Sequence, residues 1–177
     1  MNQTINDLKT RRSIRKFKDE QISDEDLKTI LETGTYAPTG RGLQSPKIVV
    51  IQDAETIKEL SAWNRSFFPV PVPDDLDPFY GCKTLLIVLA DSEIPTFKED
   101  GCSVLAVLVN AAHAVGVGSC WIHRAREEFA SEKGKELLKE WGIPETYEGI
   151  GHVVLGYPDM EAPEPLPRKE DYIHYVD

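Results

Sequence analysis

The sequence predicts several helices packed around one sheet, an α+β or α/β domain, and three observations carry that expectation. Short apolar runs of strand length, Lys47-Ile48-Val49-Val50-Ile51, Leu85-Leu86-Ile87-Val88-Leu89-Ala90 and Ile150-Gly151-His152-Val153-Val154-Leu155-Gly156, alternate with stretches patterned as helices. The 177 residues show no internal repeat and no interdomain linker, so residues 1–177 read as one domain. A formal net charge of −10 favours solubility and argues against nucleic acid or an anionic membrane as the main partner.

Taken in order, Thr4 to Lys9 suggests a short helix with Ile5 and Leu8 on its buried face. A basic run, Arg11-Arg12-Ser13-Ile14-Arg15-Lys16-Phe17, follows. Ser23 is placed to cap the next helix, with Asp26 three residues on, Asp24 and Glu25 complementing the positive end of the dipole, and Leu27, Ile30 and Leu31 as its apolar stripe. Gly34 is read as its stop. The loop from Tyr36 to Pro46 feeds the first strand, expected to be buried, and Glu55 to Trp63 is again helical. Phe68 to Pro78 holds too many prolines for regular structure and reads as an ordered surface loop or lid.

After the second strand, Gly101 to Val115 is apolar nearly all round, which predicts a helix buried at the domain centre or against a second subunit. Ser119 to His123 is a short strand and Ser131 to Trp141 a helix. A proline-rich tail follows the third apolar strand.

Cys82, Cys102 and Cys120 are an odd number without a C-x-x-C pair, which argues against a disulfide framework and for a reducing cytoplasm. Each lies in or beside an apolar run and is expected to be buried. The polar stretch from Met1 to Thr10 has no signal-peptide core, and no apolar run reaches the ~18 residues of a membrane span.

Four residue groups carry candidate chemistry. Arg11, Arg12 and Arg15 put three planar cationic forks around the Ser13 hydroxyl, a phosphate anchor by residue type. Short basic runs are common, however, and spacing alone favours a solvated turn offsetting Asp19 and Glu20. The loop holding Pro38, Thr39 and Gln44 offers glycines for close backbone approach and an amide that both donates and accepts, suited to a planar heterocycle; alone it reads as a helix-to-strand connection. Gly116-Val117-Gly118 lacks the third glycine of a dinucleotide fingerprint and precedes a strand instead of a helix, so Cys120, Trp121, Ile122 and His123 read as core with a backbone free to lie against a ring. Arg168 and Lys169 form either a surface patch or a second phosphate clamp. The four histidines show no zinc spacing, and neither a nucleophile elbow nor a Walker A loop is present.

In combination and order these pieces resemble the nitroreductase family. The basic run, the helix over Leu27 to Glu32, Ala37-Pro38-Thr39 and Gln44 before a Val/Ile strand match its N-terminal signature. Phe79-Tyr80-Gly81, Asp100-Gly101 opening an Ala-rich helix, Gly116 to Ile122, Val153 to Pro158 and Pro167-Arg168-Lys169 follow in the family's order, over nearly the whole chain. The resemblance implies an α+β fold with a central mixed, mostly antiparallel sheet surrounded by helices. It also implies an intertwined homodimer with FMN at the subunit interface, the helix over Gly101 to Val115 forming the dimer core.

By position, Arg11, Arg12, Ser13 and Arg15 would bind FMN, some at its phosphate and one near the N1/O2 edge, where a cation favours hydride acceptance at N5. Pro38, Thr39 and Gln44 would contact the ring across the interface. Cys120, Trp121, Ile122 and His123 would run along it, with a main-chain N–H at His123 or Arg124 near N5. Arg168 and Lys169 would complete the phosphate site. The implied activity is hydride transfer from NADH or NADPH through FMN to a small acceptor such as a nitroaromatic or quinone. A flavin-binding protein that stores or senses FMN without turnover shares the same motifs. The resemblance implies two departures from the family, Gly42 where Asn is common and Gln44-Ser45 where Gln-Pro is usual.

Overall fold

The computed structural model describes residues 2–176. Its core is a four-stranded sheet in the order β1-β2-β4-β3, formed by β1 (Pro46–Ile51), β2 (Thr84–Asp91), β3 (Gly118–Ile122) and β4 (Tyr147–Gly156). All three pairings are antiparallel. The parallel component of the expected mixed sheet amounts to one bridge, Ser13 to Ser119.

Burial of β2 from Thr84 to Ala90 explains its unbroken apolar run, because helices cover both faces of the strand. Leu85, Ile87 and Leu89 face a cluster with Ile57, Leu60, Trp63, Phe129 and Leu138. Leu86 and Val88 face the other, with Leu27, Ile30, Val104, Leu105 and Leu108. The first cluster is supplied by α3 (Ala54–Ser66), α5 (Ala125–Ala130) and α6 (Glu132–Glu140), the second by α2 (Asp24–Thr35) and α4 (Phe97–Ala114). The result is a sheet sandwiched between two helical layers.

The caps follow the sequence. Ser23 accepts from the Asp26 N–H to start α2, Asp53 from Thr56 to start α3, and Ser131 from Gly134 to start α6.

Several expectations are corrected. Gly34 does not end α2, which continues to Thr35; a Cβ there would lie 2.6 Å from Leu108 Cδ2, so the glycine serves close approach of α2 to α4. β1 is an edge strand and only half-buried, its apolar side chains having a partner strand on one side alone. Ile5 and Leu8 of α1 (Gln3–Thr10) are exposed, because no element among the described residues covers that face. Cys82 and Cys120 are buried but Cys102 is exposed, lying on the outer face of α4. That helix starts at Phe97, a turn earlier than its apolar run; α5 was not foreseen; and His123 lies just beyond β3. No helix among the described residues is long and apolar enough to cross a membrane.

Candidate functional site

The free edge of β3 is where the basic run docks. The Ile14 N–H donates to Ser119 O at 2.9 Å and the Lys18 N–H to Tyr157 O, while Phe17 bridges Pro158. Two glycines make room: a Cβ on Gly118 would meet Ile14 Cγ2 at 3.0 Å, and one on Gly156 would meet the Phe17 ring at 2.8 Å. This laying-down of Ser13 to Phe17 brings Arg15 to a recess of about 180 Å³ lined by Phe68, Pro78, Tyr80 and the stretch Cys120–Arg124. Cys120 and Ile122 are buried, whereas Trp121 is exposed and packs over Gly151, whose missing Cβ accommodates the indole.

The arginines differ in employment. Arg11 and Arg15 make no side-chain hydrogen bond or ion pair among the described residues, although acidic residues outnumber basic ones 30 to 20. Arg12 donates through Nη1 to Lys9 O and Arg11 O and through Nε to Pro163 O, fastening the start of the tail to the run. An unpaired guanidinium beside a recess, as Arg15 is, suits an anion.

The segment over the recess is pinned from below. Asp77 accepts from the N–H groups of Phe79 and Gly81 and from Ser61 Oγ of α3, and Arg65 Nη1 donates to Leu76 O at 2.8 Å. Phe79 is fully buried, its ring 5.2 Å from the imidazole of His152. His152 Nε2 lies 2.8 Å from Glu128 Oε2, with both side chains buried. At the end of β3, buried Asn64 donates to His123 O at 2.9 Å, and Arg124 takes a left-handed conformation with φ of 84°.

Sequence reasoning missed Asn64, Asp77, Glu128 and His152 as supports. A signal existed for the first: Asn64 continues the Ile57–Leu60 stripe of α3, a polar residue at a core position.

Pro38, Thr39 and Gln44 do not line this recess. Thr39 and Gln44 border a separate groove of about 760 Å³ between α2 and β1, with Val104 of α4 at its base. Their loop hangs on Asp100 in the first turn of α4, which is buried and accepts from Gly40 N at 2.8 Å, Ser45 Oγ at 2.7 Å and Thr96 Oγ1 at 3.2 Å. Arg41 and Gln44 have φ of 55° and 51°, strained values for residues with side chains. Arg168 and Lys169 stand in an exposed tail, Arg168 donating through Nε and Nη2 to Leu166 O. One chain therefore joins Arg15 to Cys120–Arg124 and keeps the other two groups apart. No cluster of three metal-ligating side chains occurs among the described residues.

A run carrying the unpaired Arg15 lies along the edge strand of an antiparallel sheet, beside the aromatic side chains of Phe68 and Tyr80, an arrangement able to hold a planar ligand with an anionic arm. The chain belongs to the Nitroreductase family, whose model matches residues 8–157. A protein of Archaeoglobus fulgidus provisionally named NADH dehydrogenase/NAD(P)H nitroreductase is 31% identical over 91% of this chain and 88% of its own length. The NADPH-flavin oxidoreductase of Vibrio harveyi is also 31% identical, over 95% of this chain and 70% of its own. Among solved structures, a nitroreductase with bound FMN from Desulfitobacterium hafniense superposes with a TM-score of 0.87 at 26% identity, all of both chains being covered.

Proposed function

We propose that the protein is an FMN-dependent NAD(P)H oxidoreductase, a cytoplasmic homodimer that reduces a small acceptor such as a nitroaromatic or quinone. The observation that carries this reading is the pair of unpaired guanidinium groups, Arg11 and Arg15, on a run laid along the strand that ends at Cys120–Arg124. The chemistry of this donor set fits FMN: cations for a phosphate and an electron-rich ring edge, a hydroxyl, and a flat strand for a heterocycle.

Arg11 and Ser13, with the remaining Nη2 of Arg12, would hold the phosphate, and Arg15 the N1/O2 edge. Cys120, Trp121, Ile122 and His123 would lie along the ring, with main-chain N–H groups at His123 or Arg124 near N5. When bound, FMN supplies a ring that takes hydride from NAD(P)H at N5 and passes two electrons to the acceptor. For a quinone, NAD(P)H, a proton and the quinone become NAD(P)⁺ and the hydroquinone. The protein's part is to bind, orient and hold cationic charge at fixed points; no side chain is needed as an obligatory acid or base.

A second copy of the chain supplies the rest. A recess of about 180 Å³ is below the ~300–1,000 Å³ of enclosed ligand pockets, so one chain presents only part of a wall. On the outer stripe of α4, Cys102 and Ala106 are exposed and Val107 and Asn110 half-buried, while Ile5 and Leu8 of α1 and Leu166, Tyr172 and Ile173 of the tail are exposed. Their burial against a second chain accounts for apolar side chains left in water and brings Pro38, Thr39 and Gln44, with Arg168 and Lys169, to the partner's flavin.

Titration of the purified apoprotein with FMN, read by quenching of flavin fluorescence, tests the binding. Saturation at one FMN per chain, followed by NAD(P)H oxidation that depends on added menadione or a nitroarene, is expected. Absence of quenching, or quenching without oxidation with any acceptor, overturns the reading.

A further inference from the structure

Arg124 occupies the turn between β3 and α5 with φ of 84°, a conformation that glycine adopts freely and an arginine only under strain. The side chain is also held: its guanidinium carbon lies 3.7 Å from the centroid of the Phe68 ring, in the aromatic segment over the recess. The turn beneath is fixed by the buried Asn64 through His123 O. Among the described residues the guanidinium has no carboxylate and no hydrogen-bond acceptor, so stacking occupies its face and leaves its edge donors unfilled. A strained, stacked and unsatisfied cation lining the recess together with Arg15, Pro78, Tyr80 and Trp121 calls for an anionic group that enters the recess.

We propose that Arg124 selects the acceptor: the substrate class is a planar aromatic acceptor bearing a carboxylate, its ring against the aromatic walls and its carboxylate on the free edge of the Arg124 guanidinium. The proposal rests on the flavin reading and deepens it. A planar fork pre-ordered by Phe68 suits a carboxylate in bidentate fashion. The chain's net charge of −10 repels anions at a distance, so a local cation is what makes an anionic acceptor admissible. The dinucleotide also carries anionic groups, but its phosphates lie many bonds from the nicotinamide, whereas Arg124 sits in the turn directly after the strand assigned to the ring. A carboxylate borne on the reacting ring itself matches that short reach.

The test compares benzoate with benzamide, near-isosteres that differ in charge, each titrated into the oxidised FMN holoenzyme and read by perturbation of the flavin absorbance. Benzoate should bind about tenfold more tightly than benzamide, the worth of one charge-assisted contact. Arg124→Gly, which relieves the backbone strain, should abolish the preference, and Arg124→Lys should restore part of it. Because each ratio is taken within one variant, any change in flavin affinity cancels. Equal binding of the two probes by the wild type, or a preference that survives Arg124→Gly, overturns the proposal. ADP-ribose serves as the dinucleotide arm: its selective weakening in Arg124→Gly, with the benzoate ratio unchanged, assigns the cation to the co-substrate and also overturns it. Protein that takes up no FMN defeats the flavin reading and this proposal with it, whereas failure of the ratio defeats this proposal alone.

Discussion

Ser45 donates its hydroxyl to the buried carboxylate of Asp100 at 2.7 Å, tying the end of the Thr39–Gln44 loop to the first turn of α4. Asp100 also receives the Gly40 N–H, so one carboxylate holds both ends of the loop. Ser45 is where the family resemblance implies a proline, and its hydroxyl makes a structural bond here. Ser45→Ala leaves a buried carboxylate short of one donor, and by the usual worth of a hydrogen bond to a charged group should cost about 2 kcal/mol. Urea unfolding of the holoprotein checks this. FMN affinity should fall as well, because the loop would present Gln44 to the partner's flavin less rigidly.

Arg11→Ala and Arg15→Ala should each weaken FMN binding by at least about tenfold, the loss of one charge-assisted contact. Stability of the apoprotein should stay within about 0.5 kcal/mol, because neither guanidinium has a partner among the described residues to lose. Fluorescence titration and denaturant melts of the same samples read both quantities. A variant that melts early and keeps its flavin would contradict the assignment.

If the site is shared, the two halves must complement. Chains carrying Arg15→Ala and chains carrying Gln44→Ala, each poor in flavin alone, should on unfolding and refolding together form mixed dimers with one intact site. Random assortment restores roughly a quarter of the wild-type sites in a two-fold dimer. No recovery above the separate variants would place both residues in one chain's site.

The cysteines report the interface and have a defined pH dependence. Cys82 is pushed up to about 12 by burial and by the nearby charge of Asp77, so it should resist alkylation through pH 9 in the folded protein. Cys102 is raised by partial burial and by Glu99 but is exposed on the single chain. Thiolate accumulates as pH rises toward a thiol's pKa, so Cys102 in dissociated chains should react with iodoacetamide increasingly fast above pH 8. In the concentrated holoprotein it should be protected, since it lies on the α4 face proposed to meet its partner. Equal labelling in both states would exclude that face from the interface. Mass spectrometry of the labelled peptides distinguishes the three thiols.

How much of this was legible in the residues follows from what each pattern encodes. The β2 run and the Ser23 cap are local signals, and both appear where the sequence places them. Gly34 was misread because one letter serves two purposes, helix termination and close approach, and only the Leu108 side chain decides between them. Six-residue α5 is too short to show a period, and its buried face includes Glu128, a charge that reads as solvated until His152 of β4 is seen beside it. Ile5 and Leu8 form an apolar face that no element among the described residues covers. The basic run and the Cys120–His123 strand were recognisable from their order along the chain, but their junction is the Ser13–Ser119 bridge, a long-range pairing no local pattern announces. Arg124 was foreseen only as a source of a main-chain N–H; its stack on Phe68 depends on a loop conformation that composition does not specify.

Turnover of flavin bound on the Arg15–Arg124 recess is the property on which the proposed function stands or falls. It is tested most directly by one anaerobic cuvette of purified holoprotein, followed through its visible flavin bands. Stoichiometric NADH or NADPH should bleach the bands rapidly, and menadione or a nitroarene should restore them. Flavin bands that survive the nicotinamide, or that bleach and do not return with any acceptor, would contradict it and leave a protein that holds FMN without using it.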